Sequence, residues 1–233
     1  MGLREKKKQA TRRHISNVAT GLIAVRGFDN VTVAEIAEAA GVSKMTVFNY
    51  FPRKEDLVLD RHADRLRELE QVIREREPGE SVTRALRRYH QALVAARHPL
   101  SGTVPGAASF LRMLNTSPAL VARTREQARE VADLLTGLLE GPDARLVANL
   151  IAATLESIYE HVSTRMLAGD DPDVVHREQP AFIDRAFDLL EQGIGEAGKG
   201  KAARAPAKAR TGRGQAAASE GDAPASKGDA PAK

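Results

Sequence analysis

Lys44 and Asn49 carry side chains that can tell one base pair from another. A lysine donates to guanine O6 and N7, and an asparagine pairs with adenine N6 and N7. Both fall on a short predicted helix that begins after Ser43, on the face opposite Val47 and Phe51. Met45 and Phe48 share that outward face and suit contact with thymine methyls or sugars. Thr32, Thr46, Tyr50 and Lys54 flank the helix and suit phosphate contact. Upstream, Arg12 and Arg13, with Lys6 to Lys8, are placed to reach the DNA backbone or the adjacent minor groove. The chemistry these residues offer is nucleic-acid recognition.

Such side chains are useful only on rigid elements. Apolar residues Ile15, Val18, Ala19, Leu22, Ile23 and Val25 recur at helical spacing and predict a helix ending near Gly27. Thr32 followed by Glu35 predicts a capping box opening a helix over Val33 to Ala40. Gly41 closes it in a left-handed conformation that a glycine adopts without strain. Ser43 caps the next helix, which runs to about Tyr50 before Pro52 stops it. Ala37 is small enough for close approach, and Ile36, Ala40, Val42, Val47 and Phe51 point inward. Two short helices around a glycine turn, with the second one reading, have the spacing of a helix-turn-helix.

The run from Thr32 to Phe51, TVAEIAEAAGVSKMTVFNYF, followed by Lys54-Glu55-Asp56-Leu57, resembles the tetracycline-repressor (TetR) family of transcription regulators. The likeness covers residues 10–60 and includes Gly27-Phe28 ahead of the motif. Met45 stands where that family often has Gly, Ala or Pro, and Phe48 where it often has Tyr. The resemblance implies an N-terminal DNA-binding domain and C-terminal helices that bind a small effector and form a homodimer.

Downstream, amphipathic patterns predict helices at about 54–76, 81–97, 106–115, 118–140, 142–168 and 179–195, and the fold class is all-α. An effector pocket is expected around Tyr89, Leu93, Phe110, Met113, Leu114, Leu138 and Tyr159, with His90 and His161 as polar partners. The dimer is expected on the last two helices, through Leu155, Ile158 and Val162 and through Phe182, Ala186, Phe187 and Leu190. Asp170, Asp171, Asp173 and His176 have metal-ligand chemistry but read better as a loop and helix start around Pro172.

Net charge is +4, unevenly spread: residues 1–13 carry +5, residues 197–233 carry +5, and the rest carries −6. Basic ends on an acidic body point to a polyanion. Residues 198–233 contain no Leu, Ile, Val, Phe, Met or Tyr, so a disordered tail is expected there. Without cysteine there is no disulfide, thiolate zinc site or cysteine nucleophile. Neither a phosphate-loop pattern nor a dinucleotide fingerprint occurs, so no cofactor or metal is expected, and no enzymatic activity. No apolar run reaches membrane-spanning length, and a soluble cytoplasmic protein is expected.

The organisation that follows is a basic arm (1–9), a DNA-binding domain (10–53, motif 32–51), an effector and dimerisation domain (54–196) and a tail (197–233). The expected function is that of a ligand-responsive repressor binding a palindromic double-stranded operator as a homodimer. The alternative is a non-specific architectural DNA-binding protein using its basic arms.

Overall fold

Lys, Arg, Gln and Ala favour helix through the first turns of α1 (Leu3–Arg26), and Ile15, Ala19 and Ile23 give its second half a fully buried stripe. The computed structural model describes residues 2–193, so the expected tail lies outside the described residues. Lys6 to Lys8 belong to α1 and are exposed there, so the expected basic arm is helical from Leu3 onward.

After α1 come α2 (Val33–Ala39), α3 (Lys44–Tyr50) and the single turn α4 (Glu55–Val58). They close over one core built from Ile15, Ile23, Val31, Ile36, Val47, Phe51 and Leu57. The expected continuous helix over 54–76 is two helices, α4 and α5 (His62–Arg74), separated at Leu59 to Arg61. Two demands impose the break. Leu57 and Val58 belong to the reading-head core while Leu69 and Ile73 belong to the next one. The carbonyl of Asp60, in the break, accepts from Arg12 Nη2 at 3.1 Å.

The remaining helices are α6 (Val82–Ala95), α7 (Ala107–Thr116), α8 (Pro118–Leu138), α9 (Ala144–Ala168) and α10 (Pro172–Gln192). α9 lies against both α8 and α10, and α6 packs on α5 and α10. Among the described residues there are ten α-helices, one 3-10 turn at Pro99–Ser101 and no strands, an all-α fold. α10 starts seven residues before the expected 179. Pro172 occupies its first turn, where no amide partner is needed, and Asp171 caps it by accepting from the Asp173 amide at 2.8 Å. Pro180 then sits inside the helix, an interior position that costs about 3 kcal/mol. Val175, Gln179, Ile183 and Phe187, buried along one stripe on either side of it, hold the helix continuous.

The acidic cluster is used locally. Asp170 pairs with Arg165 at 2.6 Å, Asp173 with Arg97 at 2.8 Å, and the His176 ring lies 3.2 Å from the Thr103 hydroxyl.

The expected dimer residues divide. Leu155, Ile158, Val162 and Phe187 are 0–4% exposed within the single chain, so they are intrachain core and unavailable to a partner. Phe182, Ala186 and Leu190 are only partly buried. The apolar stripe of α9 and the Phe187 position of α10 face inward because they close the core of their own chain.

Candidate nucleic-acid interface

α3 is fixed at both ends and from beneath. At its start, the Ser43 hydroxyl accepts from the Thr46 amide at 3.0 Å. Beneath it, Val47 and Phe51 are 1% exposed. The turn from α2 is a complete Schellman closure, with the Gly41 amide on Glu38 O at 3.1 Å and the Val42 amide on Ala37 O at 3.0 Å. Gly41 has φ +64°, the left-handed conformation that a side chain there would strain. His14 Nε2 donates to Ala40 O at 3.1 Å and ties α1 to the end of α2.

Thr32 and Glu35 complete the predicted capping box. The Glu35 amide donates to Thr32 Oγ1 at 3.2 Å and the Thr32 amide to Glu35 Oε2 at 2.8 Å. The Thr32 amide and hydroxyl, then the Arg26 guanidinium, pull the Glu35 carboxyl down to about 2. The box is therefore intact at neutral pH and weakens only in acid, as pH falls towards that value.

On this support Lys44, Met45, Phe48 and Asn49 all stand exposed. Met45 is 70% exposed and Phe48 40%, values that a seven-residue helix in a small core has no packing reason to show. The Lys44 ammonium lies 5.9 Å from the Phe48 ring centroid, so the two side chains share one edge of the surface. Together they offer a donor, an amide and two apolar contacts in one strip, matched to base edges and thymine methyls.

Two expected DNA contacts are spent inside the chain. Arg12 donates to the Tyr50 carbonyl at 2.7 Å and the Asp60 carbonyl at 3.1 Å, and lies 4.2 Å from the Phe51 ring centroid. Lys54 donates to the Phe28 carbonyl and stacks 4.1 Å over the Phe28 ring. Both are partly buried, and both satisfy carbonyls at element ends. A sequence shows the charge, and nothing in it separates these from the exposed Arg13. Ser43 and Thr46 share a hydroxyl contact at 2.8 Å, and Tyr50 packs partly against the reading-head core.

A charged hub joins this head to the body. Arg123 of α8 reaches Asp56 of α4 at 2.8 Å and Glu130 at 2.6 Å, and Glu130 receives His62 of α5 at 2.7 Å. The Arg123 and Asp56 side chains are 12% and 17% exposed, so this pair is screened far less than a surface bridge. No signal in the sequence places these four residues together.

The expected effector residues do not line one site. Phe110, Met113 and Leu114 pack into the reading-head core, whereas Tyr89 and Leu138 pack into the core of α5, α6, α8, α9 and α10. Leu93 is partly buried, and Tyr159 is 41% exposed. His161 stacks on Phe182 at 3.9 Å near the outer surface of α9 and α10.

His90 is wedged between Tyr89 and Phe187, with ring centroids at 5.1 and 6.3 Å, and its Nδ1 donates to Leu86 O at 2.8 Å. Burial pushes this imidazole down to about 4, so the fold holds it neutral where an unfolded chain protonates near 6.5. Its contribution to stability is present above about pH 6.5 and is lost as pH falls towards 4. Denaturant titrations of wild type and His90→Phe at pH 7 and pH 5 are expected to show the wild type losing up to about 2 kcal/mol more than the variant. Parallel losses in the two proteins would remove His90 from the acid sensitivity.

Residues 15–60 match the family described as bacterial regulatory proteins, tetR family. The fatty acid metabolism regulator protein of Bacillus subtilis (strain 168) is 25% identical over 203 residues, covering 81% of this chain and 98% of that one. The putative mycofactocin biosynthesis transcriptional regulator MftR of Mycobacterium tuberculosis is 43% identical over 49 residues, 21% of this chain and 25% of that one. Among solved structures, the transcriptional regulator FadR of Bacillus subtilis in complex with stearoyl-CoA superposes with a TM-score of 0.47 at 23% identity, covering 78% of this chain and 98% of that one.

Proposed function

We propose that this chain, a tetR-family regulator by its DNA-binding domain, represses transcription by gripping a palindromic operator as a homodimer and releases it on binding a small molecule. The observation that carries the reading is the exposed strip Lys44, Met45, Phe48 and Asn49, raised on a helix whose caps and core hold it still. A rigid reader in one protomer specifies one half-site. A two-fold partner supplies the second, one turn of DNA away.

The partner surface is the outer face of α9 and α10. Leu146, Leu150, Ser157, His161 and Thr164 recur along one side of α9, and Leu146 and Leu150 are 59% and 50% exposed. Phe182, Arg185 and Leu189 continue that surface on α10, with Leu189 46% exposed. Symmetric pairing of two such faces gives a four-helix arrangement.

The effector is taken up in the helical body and favours a dimer whose reading helices no longer match adjacent major grooves. The Bacillus relative is named for fatty acid metabolism, which puts fatty-acid derivatives first among effectors to be tested. The protein acts in the cytoplasm and catalyses no reaction. Among the described residues no helix is long and apolar enough to cross a membrane.

Footprinting on the DNA flanking its own gene is expected to protect one inverted repeat at concentrations that leave neighbouring sequence open. Uniform protection of all sequences, with affinity set by salt alone, would replace the repressor with an architectural protein.

A further inference from the structure

Helix α8 is seated in both cores of the chain. Leu120, in its first turn, is fully buried in the reading-head core with Leu114 of α7. Val131 and Leu135, about three turns further on, are buried in the core of α5, α6, α9 and α10. The helix runs unbroken from Pro118 to Leu138, so it is one rigid piece shared by head and body. It also lies against α9, which carries the partner face. The position of the reading head relative to that face is therefore carried through α8.

Between its two apolar seatings α8 presents charge, through Arg123, Glu126 and Glu130. Among the described residues, every ion pair that crosses from head to body ends on this stretch: Arg123 with Asp56 at 2.8 Å and Arg53 with Glu126 at 2.5 Å. The two are unequal. Arg53 and Glu126 are 56% and 45% exposed, which leaves a solvated pair worth little. Arg123 and Asp56 are sheltered, and the guanidinium is held at two edges. Its Nε donates to Asp56 of the head, and its Nη1 donates to Glu126 and Glu130 of its own helix. Glu130 is fixed in turn by His62, at the start of α5. These bonds span the break between α4 and α5, where the chain passes from head to body. A planar fork bound on two edges is directional, so it resists a rotation of the head that the apolar seating of Leu120 alone permits.

We propose that the Arg123–Asp56 pair is a positioning contact for operator recognition. It sets the tilt of the reading head on α8, and so the one half-site spacing that a two-fold pair of heads accepts. Both residues act through α3, not by contact with a base. One added base pair moves the second half-site by about 3.4 Å and turns it by about 35°, so a stiff head rejects it and a loosened head follows it. Two other half-buried arginines, Arg87 and Arg165, pair with carboxylates of the body alone and leave the head untouched. The assignment rests on the reading of this chain as an operator-binding homodimer, and it adds what holds the spacing of that operator.

Full-length wild type, Arg123→Met, Asp56→Ala and Arg87→Met are compared on the inverted repeat that the wild type selects from random duplex DNA. The same proteins are titrated on versions with one or two base pairs added to or removed from its centre, and on a duplex carrying one half-site. Asp56→Ala leaves Arg123 neutralised by Glu126 and Glu130, so it reports even where Arg123→Met fails to fold. The wild type is expected to prefer its own spacing by at least about tenfold, and both hub variants to prefer it by about threefold or less. Affinity for the single half-site is expected to stay within about twofold of the wild type. Arg87→Met removes an arginine with two carboxylate partners in the body. It is expected to melt several degrees lower while keeping the wild-type preference.

A merely stabilising bridge lowers the melting temperature and leaves the spacing preference intact. An unchanged preference in Asp56→Ala, an equal relaxation in Arg87→Met, or a matching loss on the single half-site would each overturn the positioning role and leave the operator-binding homodimer standing. A wild type that binds every spacing alike, or selects no inverted repeat, would overturn both together.

Discussion

The double variant Leu146→Asp, Leu150→Asp is expected to fold as well as the wild type, to sediment as a monomer and to lose at least about a hundredfold in operator affinity. Both side chains are mostly exposed in the single chain, so replacing them removes no core contact. In a two-fold interface each substitution appears twice, placing four carboxylates in one apolar surface, with like charges opposed. The loss in binding follows because a monomer holds one half-site, and linkage of two half-sites multiplies affinity by an effective concentration. Ile158→Asp is the control. Ile158 is 4% exposed inside its own chain, so a charge there is buried and unpaired, and the expected result is an unfolded protein instead of a folded monomer. Analytical sedimentation and circular dichroism separate the two outcomes. A folded dimer from the double variant would move the partner surface elsewhere.

The reading head was legible in the sequence because each of its devices is local. The capping box needs Thr32 and Glu35 three positions apart, the closure of α2 needs a glycine at 41, and the inward positions of α3 follow from helical periodicity. The body was legible only as a set of amphipathic helices. Periodicity identifies an apolar stripe but not what covers it, and for α9 and α10 the cover is the chain itself. Pro172 and Pro180 show a related limit. Pro180 falls in the first turn of the helix expected from 179, yet α10 already opens at Pro172, and Pro180 lies inside it, carried by the burial of Val175 and Ile183. Nor does composition locate charge: Arg12, Arg13 and Lys54 read alike, and only tertiary contact divides them. The hub of Arg123, Asp56, Glu130 and His62 joins residues up to 74 positions apart, beyond any local pattern.

That division among the cations leads to the sharpest test of the interface. Arg12→Ala removes two hydrogen bonds from a charged donor and a stacking contact on Phe51, all within the reading head. It is expected to cost about 2–4 kcal/mol of stability and to weaken binding to every sequence alike. Lys54→Ala loses the Phe28 carbonyl and ring contacts and is expected to act the same way, by a smaller amount. Asn49→Ala and Lys44→Ala delete exposed side chains and should leave the unfolding midpoint unchanged. Their effect falls on choice of sequence. Each removes a contact worth about 1–3 kcal/mol of discrimination, so preference at particular operator positions relaxes by roughly ten- to a hundredfold. Binding-site selection and thermal unfolding on the four variants decide the matter. If Arg12→Ala changes the selected sequence at unchanged stability while Asn49→Ala and Lys44→Ala select the wild-type operator, recognition belongs to α1, and the exposed strip of α3 does not read bases.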